Sequence, residues 1–369
     1  MKIKCIISVI CATAILSLSI CNVGAVSVSA EAAALIEAEN GNIIYEKNSS
    51  ARLPMASTTK IMTAIVALEN CPADSVVTIP HDACGVEGSS VYLVSGEKLT
   101  MSELLYAMLL ESANDAATAI AIEVAGSVDA FSDMMNEKAA ELGLCNTHFT
   151  NPHGLYDENH YTTAAELAKI AAYALKNDTF RKIVSTYKYK IPLKNGEGVR
   201  VLINHNKLLR MSDEVIGVKT GFTKKSGRCL VSAAERDGVT VVAVTLNAPD
   251  DWNDHLSMIN EGLAAYKSYA LLKENECSYS VPAVYTENGT ITVTNRDSLT
   301  LTLPSGSTVT SVTELPHIIL TPVSENEEIG RVRYYCDGKE IASVPLVSCE
   351  TTTAPEKNGL IIKITNLFR

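Results

Sequence analysis

Three short motifs in a fixed order constrain this 369-residue chain more than any other feature of its sequence. They are Ser57-Thr58-Thr59-Lys60, Ser112-Ala113-Asn114 and Lys219-Thr220-Gly221. Hydrophobic periodicity places the first motif at a helix start and the second between two helices, while the third ends an apolar, strand-like run. A fold in which the three act together must bring a helix start, an interhelical loop and a strand to one place.

The first motif has the chemistry of a nucleophile and its base. One helical turn puts the Ser57 hydroxyl and the Lys60 amine on the same face. A serine loses its proton as it attacks, and a lysine can accept that proton if burial and nearby positive charge lower its pKa. The pattern is expected about once by chance in a chain of this length, and it recurs at Ser185 and Lys188. We reject that copy because alternation from Thr186 onward predicts a strand, which sends residues i and i+3 to opposite faces.

The second and third motifs supply groups that relay protons and bind ligands. In a loop between helices, Ser112 can relay a proton and the Asn114 amide can hold a substrate backbone. Lys219 and Thr220 at a strand edge suit an anionic carboxylate, and Gly221 lets a ligand backbone approach closely. Each tripeptide alone is a weak signal, but the order and predicted positions of all three motifs make the set much more specific.

The three motifs together are the signature of penicillin-binding proteins and class A β-lactamases. Around them, residues 52–64, 109–117, 151–155 and 217–223 resemble the low-molecular-mass penicillin-binding proteins that act as serine-type D-alanyl-D-alanine carboxypeptidases. The resemblance implies an α+β fold with a serine β-lactamase/penicillin-binding-protein-like catalytic domain. That domain would have an antiparallel sheet with flanking helices and a helical subdomain, and a small all-β domain would follow it.

The resemblance also implies a reaction. Ser57 would attack the carbonyl of the penultimate D-alanine of a peptidoglycan stem peptide ending in D-Ala-D-Ala, with Lys60 as general base. Ser112 would help to pass the proton to the leaving D-alanine, and the backbone N–H groups of Ser57 and Phe222 would form the oxyanion hole. Water would then hydrolyse the acyl-enzyme. β-Lactam antibiotics, which mimic the substrate, are expected to acylate Ser57 and leave slowly.

For substrate binding, the resemblance assigns the substrate backbone to Asn114 and the terminal carboxylate to Lys219 and Thr220, beside Gly221. The positive charge of Lys219 would help to keep Lys60 neutral. No cofactor is implied, and the sequence contains neither a CxxC nor an HExxH pattern that would support a metal site.

Three alternatives were weighed against this function. A class A β-lactamase would deacylate with a glutamate in an E-x-x-L-N segment, but Glu141 and Asn146 miss that spacing by one inserted residue within a predicted helix. A non-catalytic penicillin- or cell-wall-binding protein would not need every motif residue. A Ser–His pair through His153 or His160 is disfavoured because S-x-x-K has its own base and His153 lies in a predicted turn.

Phe222 replaces a polar residue that some relatives carry, which leaves the substrate preference open.

The N-terminal segment has the composition of an export signal. Lys2 and Lys4 precede an almost wholly apolar run over residues 5–20, and small residues mark cleavage positions at Ala25 or Ala30. The run is shorter than the ~20 residues that span a bilayer, which favours a cleaved signal peptide over a retained anchor. The protein is therefore expected outside the cytoplasm, in the cell wall or on the outer face of the membrane.

The predicted divisions of the chain are a signal peptide at 1–30, a catalytic domain at 31–272, an all-β domain at 273–350, and a linker with a short tail at 351–369.

Local patterns give further expectations. Asn40-Gly41 predicts a tight hairpin, and residues 251–272 predict one helix. Apolar residues at 360, 361, 364, 367 and 368 could share the face of an amphipathic helix that contacts the membrane, or form a final strand.

Charge and cysteine content bear on other classes of function. The net charge is −11 and no basic stretch is interleaved with aromatic residues, so nucleic acid is not an expected partner. Seven cysteines follow residue 30, an odd and scattered set that predicts mainly buried thiols. Cys71 and Cys84, which are close in sequence, are the most plausible disulfide pair.

Overall fold

The computed structural model describes residues 26–193, 198–286 and 288–353. The predictions for residues 1–25 and for the tail beyond residue 353 lie outside the described residues. Within the described ranges, no helix has the length and apolar character needed to cross a bilayer.

Seven α-helices and seventeen β-strands are formed by the described residues. The helices are α1 (Lys60–Asn70), α2 (Met101–Leu110), α3 (Asn114–Ala125), α4 (Val128–Glu141), α5 (Ala164–Ala174), α6 (Asp178–Ser185) and α7 (Asp251–Ala265). The strands are β1 (Ala32–Glu37), β2 (Ile43–Lys47), β3 (Val76–Thr78), β4 (Lys98–Thr100), β5 (Lys188–Pro192), β6 (Val199–Ile203), β7 (Val215–Thr223), β8 (Gly227–Arg236), β9 (Val239–Leu246), β10 (Tyr266–Leu272), β11 (Ser278–Val284), β12 (Thr290–Thr294), β13 (Leu299–Pro304), β14 (Val309–Glu314), β15 (Ile319–Leu320), β16 (Glu328–Cys336) and β17 (Lys339–Ser348).

A five-stranded antiparallel sheet, ordered β2-β1-β9-β8-β7, organises the N-terminal part of the chain. The predicted hairpin is confirmed: β1 and β2 pair across a turn in which Gly41 has a φ of +72°. β7 is the last strand in this order, so within the described residues it has a strand neighbour on one side only.

Strand alternation gives the sheet two apolar faces. On β1, Leu35 faces the layer that contains Met258 and Leu263 of α7. Ala34 and Ile36 face the opposite layer, which contains side chains of α1, α2, α3 and α5. The sheet is therefore packed between α7 and a larger group of helices, as the predicted α+β class requires.

The helices on either side of the second motif are confirmed. α2 ends at Leu110 and α3 begins at Asn114, which leaves a short loop between them. α2 starts with a capping box, in which Thr100 Oγ1 accepts from the Glu103 N–H and the Glu103 carboxylate accepts from the Thr100 N–H.

Two predictions of secondary structure are wrong. The helix predicted over residues 251–272 ends at Ala265, and β10 follows it and pairs antiparallel with β13. The partner strand is distant in sequence, so local periodicity could not reveal the change. The strand predicted from Thr186 onward forms as β5, but the second S-x-x-K copy does not lie on one strand, because Ser185 ends α6 and Lys188 begins β5. Its two side chains belong to different elements.

The C-terminal part is all-β, as predicted. Its six-stranded sheet has the order β14-β16-β17-β12-β11-β15. Two small apolar clusters stabilise it, one around Ile291 and Val293 and the other around Val344 and Leu346. The domain boundary at residue 272 stays a prediction, and β10 joins the two parts by pairing with β13.

The seven described cysteines are all free thiols. Cys71 and Cys84, named as the most plausible pair, are therefore not joined. The expectation of thiols is confirmed, but the expectation that most are buried is wrong, because among these seven only Cys229 is buried and Cys145 is exposed.

Candidate active site

Ser57 lies in a short 3₁₀ turn, Ala56–Thr59, which leads directly into α1 at Lys60. The turn is tightly enclosed by two other segments. A Cβ atom on Gly154 would stand 1.9 Å from the Ala56 carbonyl oxygen, and one on Gly221 would stand 3.0 Å from the Ser57 nitrogen. Gly154 has no room for a side chain, and a Cβ at Gly221 would make a tight contact. Glycine at these positions therefore lets the 151–155 loop and β7 pack directly against the Ala56–Thr59 turn, here named the nucleophile turn.

Lys60 is fully buried, and three acceptors hold its amine. Nζ donates to Ser57 Oγ at 3.2 Å, to Asn114 Oδ1 at 2.7 Å and to the His153 carbonyl oxygen at 2.6 Å. Burial lowers the pKa of Lys60 well below its usual value, and the charge of Lys219 lowers it further. When a lysine with a lowered pKa loses one proton, its lone pair can accept a proton from a neighbouring hydroxyl, while its two remaining N–H groups can keep the other two contacts.

Lys219 is also buried, with 1% of its surface exposed. Its Nζ donates to the Thr220 carbonyl oxygen at 2.9 Å. Burial lowers the pKa of Lys219 to about 7, against an opposing effect of Glu111. Strand alternation puts Lys219 on the same face of β7 as Gly221, toward the nucleophile turn, while Thr220 and Phe222 take the other face.

Ser112 follows α2 and is held in the left-handed region, with a φ of +61°. Residues with a side chain rarely adopt this conformation, and it tends to occur at functional sites. The Ser112 side chain lines the same cleft as Ser57. The second motif thus meets the first through its serine.

Asn114 begins α3, and its amide is engaged at both ends. Oδ1 accepts from Lys60, while Nδ2 donates to the Glu87 carbonyl oxygen at 2.5 Å. A Cβ atom on Gly88 would stand 2.7 Å from Asn114 Nδ2, so the 87–89 segment can approach only because glycine is there. The Asn114 contact with a substrate backbone stays a prediction.

The three motifs meet at a cleft of about 320 Å³. Its lining residues are Ser57, Ser89, Ser112, His205, Thr220, Gly221, Phe222, Arg228, Asp251 and Trp252. Sequence reasoning missed five of them, namely Ser89, His205, Arg228, Asp251 and Trp252. Arg228 on β8 is the register partner of Phe222 on β7. No motif spacing reveals that relation, because it depends on how two strands pair.

The histidines near the motifs contact other groups than Ser57. His160 Nδ1 accepts from the Thr150 N–H at 3.0 Å, so Nε2 carries the ring proton and donates to Thr59 Oγ1 at 2.7 Å. His153 offers its backbone carbonyl to the lysine of the first motif. Burial lowers the pKa of His153 to about 3 and that of His160 to about 4, so both rings are neutral at physiological pH.

The glutamate considered for a β-lactamase is outside the cleft lining. α4 ends at Glu141, whose carboxylate contacts Lys138 Nζ. Residues 142–146 are therefore not helical, contrary to the prediction that the segment lies within a helix. Asn146 donates its N–H to the Glu166 carboxylate at 3.0 Å. Both residues are thus occupied in other contacts.

A serine hydrogen-bonded to a buried lysine, at the outer strand of an antiparallel sheet, defines the class of serine hydrolases that use a lysine beside the nucleophile. A family model described as D-alanyl-D-alanine carboxypeptidase matches residues 20–250. The chain belongs to this D-alanyl-D-alanine carboxypeptidase family, peptidase S11. A second model, described as penicillin-binding protein 5, C-terminal domain, matches residues 266–354.

Individual relatives agree with the family. D-alanyl-D-alanine carboxypeptidase DacF of Bacillus subtilis is 32% identical over 333 residues, which cover 87% of this chain and 85% of the relative. DacA of Escherichia coli is 30% identical over 368 residues, which cover 94% of this chain and 89% of the relative. The crystal structure of penicillin-binding protein 5 from Haemophilus influenzae superposes with a TM-score of 0.67 at 26% identity, covering 88% of this chain and 98% of that chain.

Proposed function

We propose that this protein is a serine-type carboxypeptidase that removes the terminal D-alanine from peptidoglycan stem peptides ending in D-Ala-D-Ala. The observation that carries the proposal is the 3.2 Å contact between Lys60 Nζ and Ser57 Oγ, made by a lysine whose pKa is lowered by burial. Membership of the D-alanyl-D-alanine carboxypeptidase family supports the same function.

In the acylation step, Ser57 Oγ attacks the carbonyl carbon of the penultimate D-alanine, and Lys60 takes the hydroxyl proton. The carbonyl oxygen becomes an oxyanion, which the N–H groups of Ser57 and Phe222 stabilise. The closeness of Gly221 to the Ser57 nitrogen supports this pair, because it brings β7 beside the nucleophile's own N–H. The C–N bond then breaks, and the leaving amine receives a proton from Lys60 through Ser112.

In the deacylation step, water attacks the ester on Ser57 and releases the shortened peptide. A β-lactam reacts at the same serine, but its opened ring stays attached and blocks the approach of water. The protein is therefore expected to bind β-lactam antibiotics as a long-lived covalent adduct. No metal or other cofactor has a step in this mechanism.

Release of D-alanine tests the proposal directly. The protein is incubated with a peptide ending in D-Ala-D-Ala, and free D-alanine is assayed. We expect release by the parent protein and loss of release in Ser57→Ala, while Ser185→Ala, at the other S-x-x-K copy, serves as the matched control and keeps it. No release, or release undiminished in Ser57→Ala, contradicts the proposal.

The fate of penicillin distinguishes the β-lactamase alternative. Intact-mass measurement after mixing with penicillin should show a stable adduct on the parent protein and none on Ser57→Ala. Rapid turnover of penicillin without a lasting adduct favours a β-lactamase instead.

We also propose that the protein acts outside the cytoplasm, after export directed by the predicted signal peptide at residues 1–30, and that its C-terminal tail contacts the membrane surface. The basic and apolar N-terminal sequence and the apolar positions near the C-terminus support this location. Deleting residues 356–369 should move the protein from the membrane fraction to the soluble fraction. Unchanged fractionation would count against the membrane contact.

A further inference from the structure

An exposed tyrosine with a strained backbone lies close to the cleft. Tyr92 is 84% exposed, and its φ is +57°. Residues with a side chain rarely adopt this left-handed conformation, which persists where neighbouring contacts impose it and tends to occur at functional sites. An aromatic ring left in solvent on such a backbone gains nothing for the folded core.

The contacts that impose this conformation come from Asp115, the residue after the second motif. Its buried carboxylate accepts from the Val91 N–H at 3.3 Å and from the Leu93 N–H at 3.0 Å. Its Oδ2 also accepts from the Ser90 hydroxyl at 2.6 Å, and that hydroxyl accepts from the Tyr92 N–H at 2.9 Å. Both chain neighbours of Tyr92 are buried, so the fixed loop directs the Tyr92 ring toward solvent.

The ring borders a pocket of about 650 Å³, here named the Tyr92 pocket. Its apolar lining also includes Val94, which is 65% exposed, and Leu193, which follows β5. Ser95 adds a hydroxyl to the lining. Exposed apolar side chains around a concave surface that has a few polar groups are typical of a ligand site.

Two charged residues of the Tyr92 pocket are paired with each other. Arg200 donates through Nη1 to Glu97 Oε1 at 2.9 Å and through Nη2 to Glu97 Oε2 at 3.2 Å, and its Nε donates to the Val91 carbonyl oxygen at 3.0 Å. Among the described lining residues, the one other with a charge is Lys98, which is exposed on β4. A bidentate ion pair beside an aromatic ring suits an uncharged polar ligand better than an anion or a cation.

The Tyr92 pocket is connected to the catalytic cleft through one short segment of chain. Ser89 lines the cleft together with Ser57, and its carbonyl oxygen accepts from the Asn114 N–H at 2.7 Å. Tyr92 follows Ser89 by three residues, so the two are at most about 10–11 Å apart. A peptide arm of three or four residues spans roughly 10–14 Å when extended. An arm with its reacting bond in the cleft can therefore place its other end at Tyr92.

We propose that Tyr92 and its pocket bind the glycan chain that carries the stem peptide, with the tyrosine ring against one face of a sugar ring. A pyranose ring has an apolar face of C–H groups edged by hydroxyl and amide groups. Such a ligand matches an aromatic side chain whose surroundings are polar and whose arginine and glutamate are paired. The inference rests on the proposed function, since it takes the substrate to be a peptide joined to a chain of amino sugars.

The test compares two substrates with the same peptide ending in D-Ala-D-Ala, one free and one joined to the disaccharide unit of peptidoglycan. Free D-alanine is assayed for both. The parent protein should have the higher kcat/KM on the disaccharide-linked peptide. In Tyr92→Ala that value should fall by about 3- to 10-fold, the range for loss of one aromatic contact, and the value on the free peptide should stay unchanged. Tyr92→Phe keeps the ring and should behave as the parent protein.

Tyr285→Ala is the matched control. Tyr285 follows β11 in the all-β part of the chain, is 57% exposed and has a φ of +62°. It is therefore also an exposed tyrosine in the left-handed conformation, but it lies outside the Tyr92 pocket. Both kcat/KM values should stay at those of the parent protein.

Equal loss on both substrates in Tyr92→Ala, or no loss on either, overturns the proposal, because a merely structural tyrosine would not change the preference for the linked peptide. A loss in Tyr92→Phe as large as that in Tyr92→Ala also overturns it. If sedimentation shows a dimer of the parent protein that Tyr92→Ala abolishes, the ring contacts a second copy instead, and the proposal is wrong.

Thermal unfolding checks that the variants fold. If Tyr92→Ala does not, Tyr92→Asn replaces it, because asparagine adopts the left-handed conformation more readily, and the same selective loss is expected. Failure of the proposed function is distinct, since the parent protein would then release D-alanine from neither substrate.

Discussion

Two lysines are buried beside Ser57, and the charge of one acts on the pKa of the other. Burial lowers the pKa of both, to about 7 for Lys219, and Lys219 lowers the pKa of Lys60 further. Both folded-state pKa values lie below the unfolded value of about 10.4, so the unfolded chain binds more protons and stability rises with pH across that window. The site loses folding free energy near neutral pH because both lysines are buried, and the lowered pKa of Lys60 is what the proposed general base requires.

Removing the charge at Lys219 should change the pH dependence of acylation. In Lys219→Gln the pKa of Lys60 should rise, because a repelling positive charge is gone. The acid limb of the pH profile for acylation of Ser57 by a β-lactam should therefore move to higher pH. Thr220→Ala removes a binding group without a change of charge, so acylation of this variant should be slower, but the acid limb of its pH profile should stay at the same pH. A limb that stays fixed in Lys219→Gln contradicts the coupling.

The backbone at Ser112 predicts a difference between two variants that lose the same hydroxyl. Ser112→Gly and Ser112→Ala should both slow D-alanine release. Glycine adopts a φ of +61° freely and alanine does not, so the glycine variant should have the larger free energy of unfolding, by about 1 kcal/mol. Denaturant unfolding measures the difference, and equal stabilities would rule out strain at this residue.

At the scale of elements, the nucleophile turn is fixed by its neighbours as much as by α1. Thr63 Oγ1 on α1 donates to the Pro152 carbonyl oxygen at 2.6 Å, and His160 donates to Thr59 Oγ1. The 151–155 loop and the β7 strand close on the turn from two sides through Gly154 and Gly221. The position of Ser57 therefore depends on three separate segments.

Gly154 offers a direct test of this packing. In Gly154→Ala the new methyl group would meet the Ala56 carbonyl oxygen at 1.9 Å, at a φ of +88° that already disfavours alanine. We expect a loss of about 3 kcal/mol in the free energy of unfolding and a loss of Ser57 acylation. Gly126→Ala is the matched control, since Gly126 has a φ of +81° but no atom within 4 Å of a Cβ. It should lose only about 1 kcal/mol and keep acylation, and a similar cost for both variants would contradict the packing argument.

Features that depend on neighbouring residues could be predicted from the sequence, whereas features that depend on contacts between distant segments could not. Helix starts and the Asn40-Gly41 hairpin depend on neighbouring residues, so the place of Ser57 at the entry to α1 was predictable. The pairing of β10 with β13, and of Phe222 with Arg228, depends on strand register between distant segments. Arg228 therefore could not be recognised as a cleft residue from its sequence context.

At the scale of the whole molecule, the chain before β1 is part of the fold. Val28 and Ala30 are buried in the cluster that contains α7 residues. Ser29 donates from its N–H and its hydroxyl to the two carboxylate oxygens of Asp254, at 2.8 and 2.7 Å. Residues 26–30 are thus packed against α7, although the predicted signal peptide included them.

These contacts predict which of the two candidate cleavage positions is used. Cleavage after Ala25 keeps Val28, Ser29 and Ala30 in place, whereas cleavage after Ala30 would remove them and expose the facing part of α7. N-terminal sequencing of the exported protein should therefore begin at Val26. A sequence that begins at Glu31 would show that the contacts are dispensable.

The position of β7 at the end of its sheet has one more consequence. A strand with a neighbour on one side can accept an extended peptide on the other, and β7, which has one strand neighbour in the described residues, lies beside Ser57. Such β-augmentation relies on main-chain hydrogen bonds that are indifferent to side-chain identity. A stem peptide bound in this way could vary in sequence along its length and still be held in register. Substrate preference would then depend on the few groups that contact the C-terminal end of the peptide.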